Sequence, residues 1–224
     1  MFSNSTYQNL DFKYKDQPKK VLALISGRKS GKSFLAQVIT EVDSRFAVRS
    51  FADPLKEMYA ETTGTSLSDL YHQKNKEKYR QGLIDLSWQM KHDKGMFVWA
   101  ESYFNSYFNS ELVVCDDMRL LEELQLLCMF GGAAYRVWAE PHQRRAWGWD
   151  YDPAIDEEIS ETDLTRLSAH TLLVCTGGGF IYNTSSGKDH LYPQITQILG
   201  KHFPEQVASL ASTEELKKLV KLEL

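Results

Sequence analysis

The chain has 224 residues, 42% of them apolar and 25% charged, with a net charge of −4. That length and composition allow one domain with a real core, and the acidic balance excludes a nucleic-acid binder held by bulk charge. No apolar run reaches the roughly 18 residues of a membrane span. The polar opening, residues 1–19, has no apolar centre and is expected to be a flexible extension rather than a secretion signal. Residues 20–224 are then read as a single domain.

The first apolar run, Val21 to Ile25, has the length of a buried strand. It leads into Ser26, Gly27, Arg28, Lys29, Ser30, Gly31, Lys32 and Ser33, then into the helical spacing of Phe34, Leu35, Val38 and Ile39. Strand, glycine-bearing basic loop, helix is the context of a phosphate-binding loop. Glycines let successive N–H groups curl toward phosphate oxygens, and the helix N-terminus adds its positive dipole end. Lys32 then serves as a mobile cation for the β- and γ-phosphates of ATP, and the Ser33 hydroxyl suits Mg²⁺. Three residues separate Gly27 from Gly31 where the usual motif has four. Either the loop is one residue short or Ser26 takes the first glycine position.

Further strands are expected at Ala47–Phe51, Leu112–Cys115, Tyr135–Ala139 and Thr171–Cys175, alternating with helices near Lys32–Asp43, Leu55–Thr62, Lys76–Lys91, Met96–Asn105, Leu120–Phe130, Asp156–Glu161 and Leu191–Leu199. A tail helix near Thr213–Lys221 follows Ser212, with Glu215 at capping-box spacing. This alternation predicts an α/β fold with a five-stranded, doubly wound parallel sheet, whose ligands bind beyond the carboxyl ends of the strands.

After the second strand comes Phe51-Ala52-Asp53-Pro54-Leu55-Lys56-Glu57. Asp53 and Pro54 fit an N-cap and first turn. The segment is either a well-capped helix or a means of aiming Lys56 at an anionic substrate. Lys76 and Arg80 share one helix face and are either solvated or a clamp for a phosphate. The third strand ends in Cys115-Asp116-Asp117-Met118-Arg119. In a phosphate-loop protein such an end faces metal and substrate, so Asp116 is expected to orient Mg²⁺ and Arg119 to contact a phosphate. Arg144 and Arg145 are expected on a mobile cover that neutralises the transferred phosphoryl group. His142 is read as surface, and the acidic run Asp156-Glu157-Glu158, with Glu161 and Asp163, as a solvated helix face without metal-site spacing. Gly177–Gly179 and Thr184–Gly187 are expected to bracket a flexible segment. Cys115, Cys128 and Cys175 lie in apolar runs and are read as buried reduced thiols, which points to the cytoplasm. The terminal Lys-Leu-Glu-Leu is similar to an endoplasmic reticulum retention signal, but without a leading secretion signal it is read as a plain chain end.

Taken in order, SGRKSGKSF (26–34), DPLKEMYA (53–60), NKEKYR (75–80), DKGMF (93–97), VVCDDMR (113–119), RVWAE (136–140) and RAWGWDYDPAIDEEISETDL (145–164) resemble animal-type phosphomevalonate kinase, of the nucleoside monophosphate kinase group. The resemblance spans about Val21 to Leu164. It implies transfer of the ATP γ-phosphoryl group to (R)-5-phosphomevalonate, giving 5-diphosphomevalonate and ADP in isoprenoid precursor synthesis. It implies that Arg28, Lys29, Gly31 and Lys32 form the phosphate loop and that Lys76 and Arg80 bind substrate. Asp116 and Arg119 match the strand-end motif, and Arg136 and Arg144 match arginines near the active site and its lid. Residues of about 54–110 would form the substrate-binding helical region and about 141–164 the lid. Five features depart from the family: the shorter loop, Ser33 where Asp is common, Met118 in place of the first of two arginines, Trp147 in place of a second lid arginine, and Gly177–Gly187, longer than the family's nucleotide-base loop and expected to hold the adenine.

On this reading Lys32, Arg119 and Arg144 are catalytic, Gly27 to Ser33 bind the nucleotide, Lys56, Lys76, Arg80, Arg119 and Arg136 bind the acceptor, and Ser33 and Asp116 hold Mg²⁺. The partners are small molecules only, and the chain is expected to be a monomer without nucleic acid or membrane. Two alternatives stand beside it. A viral-type (deoxy)nucleoside monophosphate kinase would use Tyr59, Tyr79, Trp88 or Phe97 to stack a base. A non-catalytic nucleotide-binding module would keep the loop and lose turnover.

Overall fold

The computed structural model describes residues 21–72, 75–107 and 112–203. The N-terminal extension and the expected tail helix lie outside them. The central strand, β1 (Val21–Ile25), is buried at every residue, so it reads as an unbroken apolar run rather than an alternating one. It is flanked by β3 (Leu112–Met118) and β4 (Ala133–Trp138), with β2 (Phe46–Val48) and β5 (Gly179–Tyr182) at the edges. The order is β2-β3-β1-β4-β5 and every pairing is parallel.

Parallel neighbours need crossovers, and the helices that supply them cover both faces. On one face α1 (Lys32–Val42) buries Leu35, Ala36, Val38 and Ile39, a helical stripe. They pack with Leu22, Leu24 and, from α11 (Tyr192–His202), Ile195 and Leu199. The other face joins Val21, Ala23, Ile25, Val113 and Cys115 to Tyr103 and Phe104 of α5 (Val98–Tyr107) and Leu126 and Leu127 of α6 (Leu121–Met129). Phe51 stacks on Tyr103 at 4.1 Å and Phe104 on Phe130 at 4.4 Å. Each such side chain contributes about 1.5–3 kcal/mol by leaving water, so both faces are held firmly. Between β2 and β3 also lie α2 (Asp53–Thr63), α3 (Leu67–Tyr71) and α4 (Lys76–Lys94). After β4 come α7 (Pro141–Ala146), α8 (Pro153–Asp156), α9 (Ile159–Thr162) and α10 (Ala169–Thr176). No helix among the described residues is long and apolar enough to cross a membrane.

The fifth strand is not where it was expected. Thr171–Cys175 lies within α10, because Ser168 caps the helix by accepting from the Thr171 N–H and Gly177 ends it at φ 69°. The Leu-Val-Cys run is not core: Leu173 and Val174 are 52% and 69% exposed, while Leu172 and Thr176 face inward. Cys175 is likewise exposed, Cys128 partly buried and Cys115 buried, so only one thiol matches the expectation of burial. The strand is instead β5, and Gly178 before it passes so close to β4 that a Cβ would overlap the Ala134 carbonyl oxygen. That glycine is a packing requirement, not a sign of flexibility.

Two smaller boundaries moved. β2 ends at Val48 because Asp117 collects the Ser50 hydroxyl and the N–H groups of Phe51 and Ala52, pulling the chain into a turn. α2 begins at Asp53 itself, whose carboxylate accepts from Ser50 N–H at 2.8 Å and from the Tyr71 hydroxyl at 2.6 Å, so Ala52 and not Asp53 is the N-cap. The single acidic helix expected at Asp156–Glu161 is two short helices, α8 and α9, broken at Glu157 and Glu158.

Candidate active site

β1 delivers the chain into the phosphate loop at the carboxyl edge of the sheet. Lys29 takes φ 58° and Gly31 φ 89°, whereas Ser26 does not need a positive φ. A serine there is therefore tolerated, and the shortened loop closes on Lys29 and Gly31. Ser30 Oγ donates to the Gly27 carbonyl at 2.9 Å. Asn183, fully buried just after β5, donates through Nδ2 to the Ser30 carbonyl at 3.0 Å, and its amide lies where a Cβ on Gly31 would stand. Gly31 is thus fixed by its dihedral and by its neighbour. His190 in turn meets the Asn183 amide oxygen at 3.1 Å and Ser185 at 3.0 Å.

The loop forms one wall of a cavity of about 720 Å³, which Asp116, Asp117, Arg119, Trp147, Asn183 and Ser186 also line. Lys32 donates to the Ser26 carbonyl and, at 3.3 Å, to the Gly27 carbonyl. Its ammonium is pushed down to about 7, first by desolvation and then by the Arg119 charge, with Asp116 and Asp117 pulling the other way.

Arginines arrive from three elements. Arg28, in the loop, pairs with Asp156 of α8 at 3.3 Å. Arg119, at the end of β3, pairs with Glu161 of α9, and its backbone N–H donates to Glu123 at 2.7 Å. Arg144, on α7, donates from Nε to the Arg28 carbonyl at 2.9 Å and stacks 3.9 Å from the Trp149 ring. Its Nη2 lies 3.5 Å from where a Cβ on Gly27 would stand, and desolvation lowers its pKa. Arg144 thus rests on the phosphate loop.

Two hard oxygen donors face the cavity unspent. Ser33, exposed, and Asp116, half-buried, have no hydrogen-bond partner among the described residues. Asp117, by contrast, is consumed in holding the turn that starts α2. A hydroxyl plus one carboxylate is the sparse set Mg²⁺ accepts when phosphates and waters complete its shell. No group of three acidic, histidine or cysteine side chains placed to hold a metal ion occurs among the described residues.

Other expected residues stand elsewhere. Lys56 does not line this cavity: its ammonium lies 3.8 Å from Asp53 and 4.0 Å over the Tyr71 ring, paired at the start of its own helix. Arg136 also lies outside these walls, its guanidinium 5.3 Å from the Trp138 ring and 5.6 Å from the Phe180 ring, with Nη1 directed at the Leu167 carbonyl. Arg80 is half-buried on α4, and the Lys76 side chain is outside what is described. His142 is exposed, as expected. The acidic run is not merely a solvated face: Asp156 accepts from Arg28, Trp149 Nε1 and the Asp152 N–H, and Glu161 is buried against Arg119. Sequence reading missed these two acids and Asn183, because each meets its partner across a long loop.

Comparison with known proteins bears out the resemblance. The family model described as phosphomevalonate kinase matches residues 25–130, from the end of β1 to just past α6. No curated protein matches the chain. Among solved structures, thymidylate kinase from Candida albicans is similar with a TM-score of 0.48 at 10% identity, over 82% of this chain and 92% of that one. Shikimate kinase from Acinetobacter baumannii, in complex with shikimate, is similar with a TM-score of 0.44 at 10% identity, over 81% and 92%. The fold assignment itself rests on the parallel sheet order and the loop that β1 delivers.

Proposed function

We propose that this chain is an ATP-dependent phosphotransferase that moves the γ-phosphoryl group of ATP to (R)-5-phosphomevalonate, giving ADP and 5-diphosphomevalonate. The observation that carries the reading is the convergence of Arg28, Lys32 and Arg119 on one cavity, inside the segment that fits the phosphomevalonate kinase family, with Arg144 of α7 resting on the Arg28 carbonyl from outside that segment.

In this reaction an acceptor phosphate oxygen forms a bond to the γ-phosphorus while the bond to the β–γ bridging oxygen breaks and ADP leaves. A phosphate monoester is largely dianionic at neutral pH, so no protein base need remove a proton. Catalysis then depends on alignment and on cations that neutralise the equatorial oxygens. Lys32 leaves the loop carbonyls for the β- and γ-phosphates. Arg119 reaches the transferred group from the β3 side, and Arg144 from the lid, residues 141–164, which excludes water. Ser33 and Asp116 would hold Mg²⁺, which supplies charge neutralisation across the phosphates when bound. Met118, at the position of the family's first strand-end arginine, is fully buried in the apolar core beside Ile25. Residue 118 is therefore a packing position here, and Arg119 acts alone. Lys76 and Arg80 of α4 would hold the acceptor, as the family resemblance implies. The free thiols suit a reducing compartment.

The test is ADP release with Mg-ATP and either (R)-5-phosphomevalonate or a panel of nucleoside and deoxynucleoside monophosphates. ADP formed with phosphomevalonate alone is expected. Turnover confined to a nucleotide acceptor would move the chain to the alternative kinase class, and ATP binding without turnover would make it a binding module.

A further inference from the structure

Among the described residues, Glu161 is the acid in this site that is both buried and incompletely used. Its side chain is 7% exposed, Oε1 accepts from Arg119 Nη1, and Oε2 is buried without a hydrogen-bond partner. A buried carboxylate oxygen left unpaired calls for an explanation. The arginine is the complement. Arg119 is 36% exposed, lines the cavity, and its Nε and Nη2 have no hydrogen bond among the described residues. A forked, two-point pair would be the stronger arrangement, and it would consume the donors that face the phosphates.

Both ends of this one-point contact are fixed by other groups. Arg119 N–H is held by Glu123, whose carboxylate also accepts from Leu120 N–H at 3.0 Å. On the other side Leu164 is buried in the core, Asp163 accepts from Leu121 N–H at 2.7 Å, and the Thr165 hydroxyl donates to the Glu161 carbonyl at 3.0 Å. Neither backbone is free to close the pair into a fork. We infer that Glu161 is a positioning residue for Arg119: it grips one edge of the guanidinium from behind and presents the remaining donors to the γ-phosphate. The inference rests on ATP being the phosphoryl donor, but not on which acceptor is used.

A double-mutant cycle on the full chain tests it without any acceptor. The readout is the ratio of ATP to ADP affinity by calorimetry, since only the γ-phosphate should feel Arg119. Arg119→Ala is expected to lower that ratio about tenfold, the worth of one charge-assisted contact. Glu161→Ala is expected to lower it several-fold, to leave ADP affinity unchanged, and to add nothing in the Arg119→Ala background. A full additional loss in that background, or an equal loss of ADP affinity, would mean that Glu161 merely supports the fold and would overturn the inference. If the alanine chain does not fold, Glu161→Gln carries the cycle. It keeps the shape and weakens the grip, and a ratio at the wild-type value overturns the proposal. Failure of the wild type to bind ATP would sink the proposed function and this inference together, whereas ATP binding indifferent to Glu161 would sink only the latter.

Discussion

Lys32 should take up a proton when ATP binds. In the free protein its ammonium is lowered to about 7, chiefly because the loop carbonyls replace water around it and Arg119 repels it. The γ-phosphate supplies the missing counter-charge and should return the group to near its ordinary value of about 10.4. At pH 8 about 0.9 of the free chains carry a neutral Lys32, so binding should draw about 0.9 proton from solution, against about 0.5 at pH 7 and about 0.1 at pH 6. The cost appears in affinity: between about pH 7.5 and 9.5 the Kd for Mg-ATP should rise close to tenfold per pH unit, about 1.4 kcal/mol each. Calorimetry in buffers of different ionisation enthalpy at pH 8 reads the proton count directly, because the slope of apparent enthalpy against buffer enthalpy equals it. Lys32→Met should abolish the slope. A wild-type slope near zero at pH 8, or one unchanged in Lys32→Met, would refute the argument. The same shift fixes the sign for stability. Lys32 binds fewer protons in the folded chain than in the unfolded one between about pH 7 and 10.4, so its contribution to stability rises with pH across that window. Lys32→Met should flatten that part of the urea-midpoint profile.

Gly178→Ala should destabilise the fold by more than about 3 kcal/mol, because the new Cβ collides with backbone of β4 rather than with a yielding side chain; urea unfolding of the purified variant measures it. Asp156→Ala strips Arg28, Trp149 and the Asp152 N–H of one acceptor and should cost about 1–3 kcal/mol of stability. The same change should raise the KM for ATP several-fold through the loosened Arg28, with ADP release as the assay; an unchanged KM would detach α8 from the nucleotide site.

The parts of the site that were legible in the sequence are those made by one continuous segment. Val21 to Ile39 carries strand, loop and helix within a stretch short enough for composition and spacing to fix all three. The Asp116–Arg119 strand end is readable for the same reason. Illegible were contacts whose partners lie far apart in the chain: Asn183 with Ser30, Asp156 with Arg28, Glu161 with Arg119. Local chemistry misled at one element, and two side chains meet partners that their positions in the chain do not announce. Thr171–Cys175 has a strand's composition, yet a serine cap and a terminating glycine make it a helix that leaves Leu173 and Val174 in water. Lys56 looks aimed at substrate and is taken by Asp53 and Tyr71 at its own helix start. Arg136 sits at a strand end, as a site residue should, yet its side chain packs among Trp138, Phe180 and the Leu167 carbonyl.

The prop beneath Gly31 bears on how the protein is made. Ser30 and Asn183 are 153 residues apart, and β1 pairs with strands that begin some ninety and more residues later. A ribosome therefore releases the nucleotide-binding segment well before the amide that shapes it. Until the partner strands emerge the nascent chain holds an apolar strand with no sheet to join, and ATP cannot serve as a template for early folding. Nucleotide binding becomes possible only when β5 has emerged and docked, so in a series of stalled chains the capacity to retain ATP should mark completion of the sheet.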